Sequence, residues 1–363
     1  MDCSIFDFEI ALEFFDRLAV AMTDLTVAPQ SDPTDIYRHR DALYGTDMLI
    51  AALKGLNFFT WLSEKPQTVE SICEYFGFKY RPVDVMTTYF VASGWVQREG
   101  GLLSVTEQGK EHLVEGSPWF IGPYFPPVED RPIAKDLLEL LKTGEPASFA
   151  SRDDEEDWHK AMETETFAKE FTAMMDCRGV LLAQAMAKRL DLSGRKRLLD
   201  IAGGSGVYAC SLAAHFSELS ATVLDKEPVD AIAAKAISDR GFSNRVDTLA
   251  MDMLEAPLPS GYDVHLYSNV LHDWDVDLVK CLLEKSAEAL ESGGMLIVHD
   301  MFLNADKTGP LHTAEYSVLL MHVTQGRCYS EKEISDWAEE VGFRRLDHVA
   351  SAANRSALVF ERR

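Results

Sequence analysis

The sequence predicts an α/β protein with a seven-stranded, doubly wound sheet, preceded by a smaller helical unit that ends in a β-hairpin. Three observations carry this. Apolar runs of strand length alternate with helical patterns from residue 197 onward. The turn Ala202-Gly203-Gly204-Ser205-Gly206 follows the first run, and Asp225 closes the second. Upstream, three helical patterns lead into Gly94-Trp95-Val96-Gln97-Arg98-Glu99-Gly100-Gly101 and a further apolar run, which reads as a hairpin with a glycine turn.

The elements follow in order. Residues 6–22 form one amphipathic stretch, followed by a polar loop with Pro29 and Pro33. Helical patterns cover 46–56, 68–76 with Thr68 as cap, and 83–92 with Pro82 at its start. Three helices and a hairpin make a winged helix. This one is a poor DNA reader: its third helix carries Asp84, Met86, Tyr89 and Phe90, with no basic residue after Arg81. Phosphates and base edges need basic and amide side chains. Residues 116–195 read as a bridge. It comprises an irregular proline- and aromatic-rich connection over 118–132, a solvated acidic run over 151–157, and one or two helices over 157–190. Strands are expected at 197–202, 220–225, 246–251, 262–268, 294–301, 343–348 and 356–362, with a helix near 331–341 before the closing pair. The expected domains are therefore 1–115 and 116–363.

Composition sets bounds. A chain of 363 residues, 47% hydrophobic and 26% charged, suits two globular domains. No apolar run reaches the roughly 18 residues of a membrane span, and the acidic N-terminus lacks the basic start of a signal peptide. The six cysteines are scattered without C-x-x-C spacing, which suits reduced thiols in the cytoplasm. A formal net charge of −24 repels phosphate backbones, so nucleic acid is not an expected partner, and without a spanning run neither is a membrane.

The chemistry starts at the glycine turn. Glycines let the backbone approach a ligand, and a carboxylate at the end of the second strand can accept hydrogen bonds from both ribose hydroxyls of an adenosine cofactor. A simpler role for Asp225 is to cap the helix after Pro228. His272 follows the fourth strand, at the sheet edge where α/β folds place ligands, and an imidazole can take a proton near neutral pH. Asp273 could cap the next helix, and Trp274 suits packing. His299, His312 and His322 raise a metal alternative, but their spacing shows no convergence, so no metal is expected. His322 is expected to line a pocket, with Tyr316, Leu319 and Met321 nearby on the same helix pattern.

With Asp200-Ile201-Ala202-Gly203-Gly204-Ser205-Gly206, Val223-Leu224-Asp225, Asp252-Met253, Leu271-His272-Asp273-Trp274 and Gly293-Gly294-Met295-Leu296-Ile297-Val298 in this order, the chain resembles S-adenosylmethionine-dependent O-methyltransferases of the caffeic acid, hydroxyindole and bacterial polyketide type. The resemblance covers nearly everything after residue 41. It implies a Rossmann-like methyltransferase domain whose last strand is antiparallel, and a winged-helix dimerisation domain, hence a homodimer. It implies S-adenosylmethionine held by Gly203, Gly204, Gly206, Asp225, Asp252, Met253 and Ser268, the last standing where the family has a lysine. His272 becomes the general base and Asp300 the group that orients it. Phe171, Met175 and Arg178 line the acceptor site. Cys328 joins them, in the place of a second glutamate found in plant members, and Ala202 replaces a third glycine.

The implied reaction is methylation of a hydroxyl on an aromatic or polyketide-like metabolite. Because Cys328 replaces that glutamate, C- or N-methylation and non-methylating use of the cofactor stay open. A ligand-sensing regulator built on the winged helix is the reading from another class.

Overall fold

The structure is a computed structural model, described here for residues 24–27, 29–147 and 161–363. The amphipathic stretch at 6–22 and the acidic run at 151–157 lie outside the described residues. In chain order the helices are α1 Thr34–Asp41, α2 Gly45–Ile50, α3 Phe58–Ser63, α4 Val69–Phe76, α5 Tyr80–Ala92, α6 Glu107–Leu113, α7 Pro132–Thr143, α8 Glu165–Ala187, α9 Val207–His215, α10 Val229–Asp239, α11 Val276–Ala289, α12 Leu311–Val323 and α13 Glu331–Glu340. The strands are β1 Val96–Glu99, β2 Leu102–Val105, β3 Arg197–Ile201, β4 Ser220–Asp225, β5 Val246–Ala250, β6 Val264–Ser268, β7 Met295–Asp300, β8 Phe343–Ala350 and β9 Ser356–Arg362.

The large sheet has seven strands in the order β5-β4-β3-β6-β7-β9-β8. β3 to β7 pair in parallel, while β9 runs antiparallel to both β7 and β8. Strand alternation sorts neighbouring residues to opposite faces. Leu198 joins the core under α8 and α9 with Leu182, Met186 and Leu212, whereas Leu199 joins the core under α11 and α13 with Leu282, Leu283 and Ile334. The chain turns from β3 toward β4 on one side and reaches β6 on the other. That reversal opens a crevice at the strands' C-terminal ends.

The N-terminal helices and the β1–β2 hairpin form a third core around Phe58, Phe59, Met86 and Phe90. Thr68 caps α4 as its position suggests, its hydroxyl accepting from the Ser71 amide. Tyr316, Leu319 and Leu320 of α12 belong to the same core, so this late helix packs into the N-terminal unit.

Two details differ from expectation. The bridge holds a further helix, α7, with Pro132 at its start, Leu137, Leu140 and Leu141 buried, and Gly144 closing it at φ 80°. The signal was in the sequence as helical leucine spacing between an N1 proline and a C′ glycine. Asp273 does not cap α11; Asp275 does, its Oδ1 accepting from the Leu278 amide at 2.9 Å.

Candidate active site

A single cavity runs along the crevice, enclosing about 1420 Å³ with its mouth. One side is main chain and short side chains at strand ends. Gly203 and Gly204, from the turn after β3, reach it, as do Asp225 at the end of β4, Asp252 and Met253 after β5, and Ser268 at the end of β6. Asp225 accepts from the Gly204 amide and from the Lys226 amide, both at 2.9 Å. Burial pushes its pKa up to about 6 against the pull of these amides. It caps nothing, because the N-cap of α10 is Pro228, without a side-chain bond. Asp252 accepts from the Leu254 amide at 2.8 Å, which fixes the loop after β5.

Two polar atoms here await a partner. Ser268 Oγ and Asn269 Oδ1 are buried without a hydrogen bond, although both residues line the cavity. Asn269 sits at φ 55°, and its Nδ2 donates to the Tyr208 hydroxyl at 3.0 Å. Buried polar groups are rarely left unpaired, so this side fits a polar ligand such as a nucleoside. Asn269 was invisible to pattern reading because nothing in its neighbours announces its backbone conformation.

Gly206 does not line the cavity. It starts α9 at φ 73°, where a Cβ would lie 3.0 Å from Val223 Cγ2, so it serves close helix–sheet packing. Ala202 lines the cavity in a similar left-handed conformation, φ 53°, despite its methyl group.

The other side is built from helices. Phe171, Thr172, Met175 and Arg178 form one stripe of α8, and Tyr316, Leu319, Leu320 and Val323 one stripe of α12. Arg40 of α1 also reaches the cavity. Between the two sides stands His272, in a short 3₁₀ turn after β6. Its Nδ1 lies 2.6 Å from Asp300 Oδ1, both residues being buried. A carboxylate oxygen accepts, so Nδ1 carries the proton and Nε2 is left for the cavity. Asp273 Oδ1 lies 3.6 Å from Nε2. Burial pulls the His272 pKa down, but Asp300 and then Asp273 pull it up, and the balance lies above its ordinary value. Burial pushes Asp273 up to about 6, with His272 opposing. Asp300 lies behind the imidazole and does not line the cavity, so it acts through His272.

Two residues that fix this turn were not foreseen. Gly326 packs so closely that a Cβ there would overlap the His272 carbonyl oxygen. Arg81 of α5 holds the Gly326 segment, its Nη1 donating to the carbonyls of Met321, Thr324 and Gly326 at 3.3, 3.0 and 2.8 Å. The N-terminal unit thus braces the turn that carries His272.

Two expected pocket residues lie elsewhere. His322 falls off the cavity-facing stripe of α12 and sits against Tyr44, ring centroids 4.8 Å apart, with Asp136 at 3.5 Å. Cys328 is fully buried in the N-terminal core, its amide donating to Ser317 Oγ at 3.1 Å. Burial pushes its thiol pKa well up, so it brings no charge to His272. His299 bonds Ser351 Oγ at 2.8 Å, away from His322, and among the described residues no three metal-ligating side chains converge. No described helix is long and apolar enough to cross a membrane.

A sheet-edge glycine turn, a half-buried acid on the second strand and a histidine backed by a carboxylate thus meet at one cavity, whose strand-end side fits an adenosine cofactor. Comparison with known proteins specifies it. The family model of the O-methyltransferase domain matches residues 137–344. The 3-hydroxy-5-methyl-1-naphthoate 3-O-methyltransferase of Streptomyces sahachiroi is 30% identical over 313 residues, 85% of this chain and 89% of its own. The N,N-dimethyltransferase OxyT of Streptomyces rimosus is 27% identical, covering 89% of this chain and 94% of its own. An O-methyltransferase family 2 protein from Planctomyces limnophilus, solved with apigenin, superimposes with a TM-score of 0.84 at 28% identity, covering 94% of this chain and 99% of that one. The chain belongs to the S-adenosylmethionine-dependent small-molecule O-methyltransferases, and it is an enzyme of methyl transfer.

Proposed function

We propose that the protein methylates a hydroxyl of a small aromatic or polyketide-like metabolite, with His272 as general base. The observation that carries this is the 2.6 Å contact from Asp300 to His272 Nδ1, which directs the basic Nε2 into a cavity with a nucleoside-fitting side. S-adenosylmethionine, when bound, supplies a methyl group already activated by its sulfonium. The chain's task is then to bind, align and deprotonate. Gly203 and Gly204 let the backbone approach the cofactor, and Asp225 suits the ribose hydroxyls. Asp252 and Met253 suit the adenine, and Ser268 and Asn269 offer their unpaired oxygens. Phe171 and Met175 line the same cavity and would offer the cofactor's cation an aromatic face and a polarizable thioether. Asp300 holds the Nδ1–H tautomer and stabilises the imidazolium formed as the acceptor loses its proton. The relatives' named substrates, a hydroxynaphthoate among them, support the acceptor class.

The division at 115/116 stands as part of this proposal, with 1–115 a winged-helix dimerisation unit in a cytoplasmic homodimer. Burial of α5 from Pro82 to Phe90 supports this against DNA binding, because little of the helix is left to enter a groove. Its one arginine, Arg81, is consumed by backbone carbonyls.

The test is transfer of a labelled methyl group from S-adenosylmethionine to hydroxynaphthalene acceptors, with the products resolved as ethers. Methylation only at carbon or nitrogen, or of no aromatic acceptor, would overturn the proposal.

A further inference from the structure

Arg178 is not accounted for by the reaction as described. It lines the cavity from α8, yet the described structure gives its guanidinium one hydrogen bond, from Nη1 to the Tyr316 hydroxyl at 3.3 Å. Its Nε is buried without a partner. Among the described residues no carboxylate oxygen lies within ion-pair distance of it, in contrast to Arg240, Arg327 and Arg355, whose acids are 2.6, 2.8 and 3.1 Å away. A half-buried guanidinium with no acid in direct contact, on which Asp41 and Asp273 act only at longer range, is poorly compensated. Its fork matches a carboxylate better than any other common ligand group.

The surroundings locate the missing anion. The Tyr316 ring that meets Arg178 also stands edge-on to the His272 imidazole, ring centroids 5.6 Å apart. Cation and base therefore flank one aromatic side chain. Arg40 reaches the same cavity, its charge partly met by Asp41 at 3.5 Å. The carboxylates that line the cavity, Asp225, Asp252 and Asp273, stand on its strand-end side, whereas the described helix side carries these two guanidinia and no acid.

We propose that Arg178 is a carboxylate receptor, and that the methyl acceptor is an aromatic hydroxy acid bound as its carboxylate with the hydroxyl presented to His272. The proposal rests on reading the helix side of the cavity as the acceptor site. It makes Arg178 a determinant of specificity, and not merely a wall residue.

The test is calorimetric titration with 3-hydroxy-1-naphthoate and with the matching carboxamide. The proteins are the wild type, Arg178→Lys and Arg178→Met, each with and without S-adenosylhomocysteine. Titration with S-adenosylhomocysteine itself serves as the control of folding and cofactor binding. The wild type should bind the acid about 10- to 100-fold more tightly than the amide, the range of a charge-assisted pair. Arg178→Met should erase that preference, Arg178→Lys should keep part of it, and all three should bind S-adenosylhomocysteine alike. Equal binding of acid and amide by the wild type, or binding of neither, would overturn the proposal. So would a loss of S-adenosylhomocysteine affinity in Arg178→Met with the acid preference intact, which would assign the arginine to the cofactor's own carboxylate. Failure of the wild type to bind S-adenosylhomocysteine would count against the cofactor reading alone, because the acid and amide are also compared on ligand-free protein.

Discussion

The strand-end side of the cavity draws its groups from loops following β3, β4, β5 and β6, and much of what it offers is main chain or the first atoms of a side chain. The helix side draws Arg40, Phe171, Arg178 and Tyr316 from three helices whose residues are separated by more than a hundred positions. A backbone-built surface is fixed by sheet geometry and suits a ligand that never changes. A surface made of side chain tips can be altered by single substitutions without moving the fold. On the proposed reading cofactor recognition and acceptor choice are separable here, with His272 between the two sides.

The strongest way to break that division is His272→Ala. The expected result is a fall in kcat of about 10² to 10⁴, the usual contribution of a general base, with the calorimetric affinity for S-adenosylmethionine unchanged. If the affinity falls in parallel with kcat, the two sides are not separable at this residue. If kcat holds, His272 is not the base.

A smaller effect sharpens the assignment of Asp300. In the folded protein burial depresses the His272 pKa, and Asp300 and Asp273 more than restore it, leaving it above its ordinary 6.5. The neutral base is therefore lost as pH falls through that raised value, and the acid limb of kcat/KM should lie above pH 6.5. Asp300→Asn keeps an acceptor for Nδ1–H but removes the charge. The acid limb should move to lower pH while the plateau falls on the order of tenfold, part of the general-base contribution. An unmoved limb with a lowered plateau would mean that Asp300 only holds the ring in place, and that Asp273 sets its charge.

The contrast between the two sides also explains what the sequence disclosed. All seven strands of the large sheet could be read from apolar runs between turn residues, and the glycine turn and Asp225 came with them, because sequence neighbours there are spatial neighbours. The stripe Phe171, Met175, Arg178 now lines the cavity, but helical spacing alone pointed to core there, and only the family resemblance singled these residues out. On α12 the reading slipped. The cavity-facing stripe is Tyr316, Leu319, Leu320 and Val323, whereas His322 lies about 240° around the helix from Tyr316 and faces Asp136. Arg81 and Gly326 were not legible at all. Each looks ordinary in its own segment and gains its role only when α5 meets the loop after α12. Cys328 was misplaced because a position aligned with a catalytic glutamate need not keep its surroundings once the side chain is apolar. Here the thiol has joined the N-terminal core.

The smallest expected effect lies at Ala202, within the backbone-built side itself. Its amide donates to the Leu224 carbonyl at 2.8 Å, and this bond holds the start of the turn in a left-handed conformation of φ 53°. A methyl group in that region costs about 1–2 kcal/mol, and glycine relieves the strain while adding about 0.5–1 kcal/mol of unfolded-state entropy. Ala202→Gly should therefore stabilise the protein by at most about 1.5 kcal/mol, measured by denaturant unfolding. Affinity for S-adenosylmethionine should stay the same, because the turn holds its left-handed conformation with the alanine in place. A gain in affinity without a gain in stability would mean instead that the alanine distorts the turn away from the ligand. The backbone-built side would then be tuned by its side chains after all.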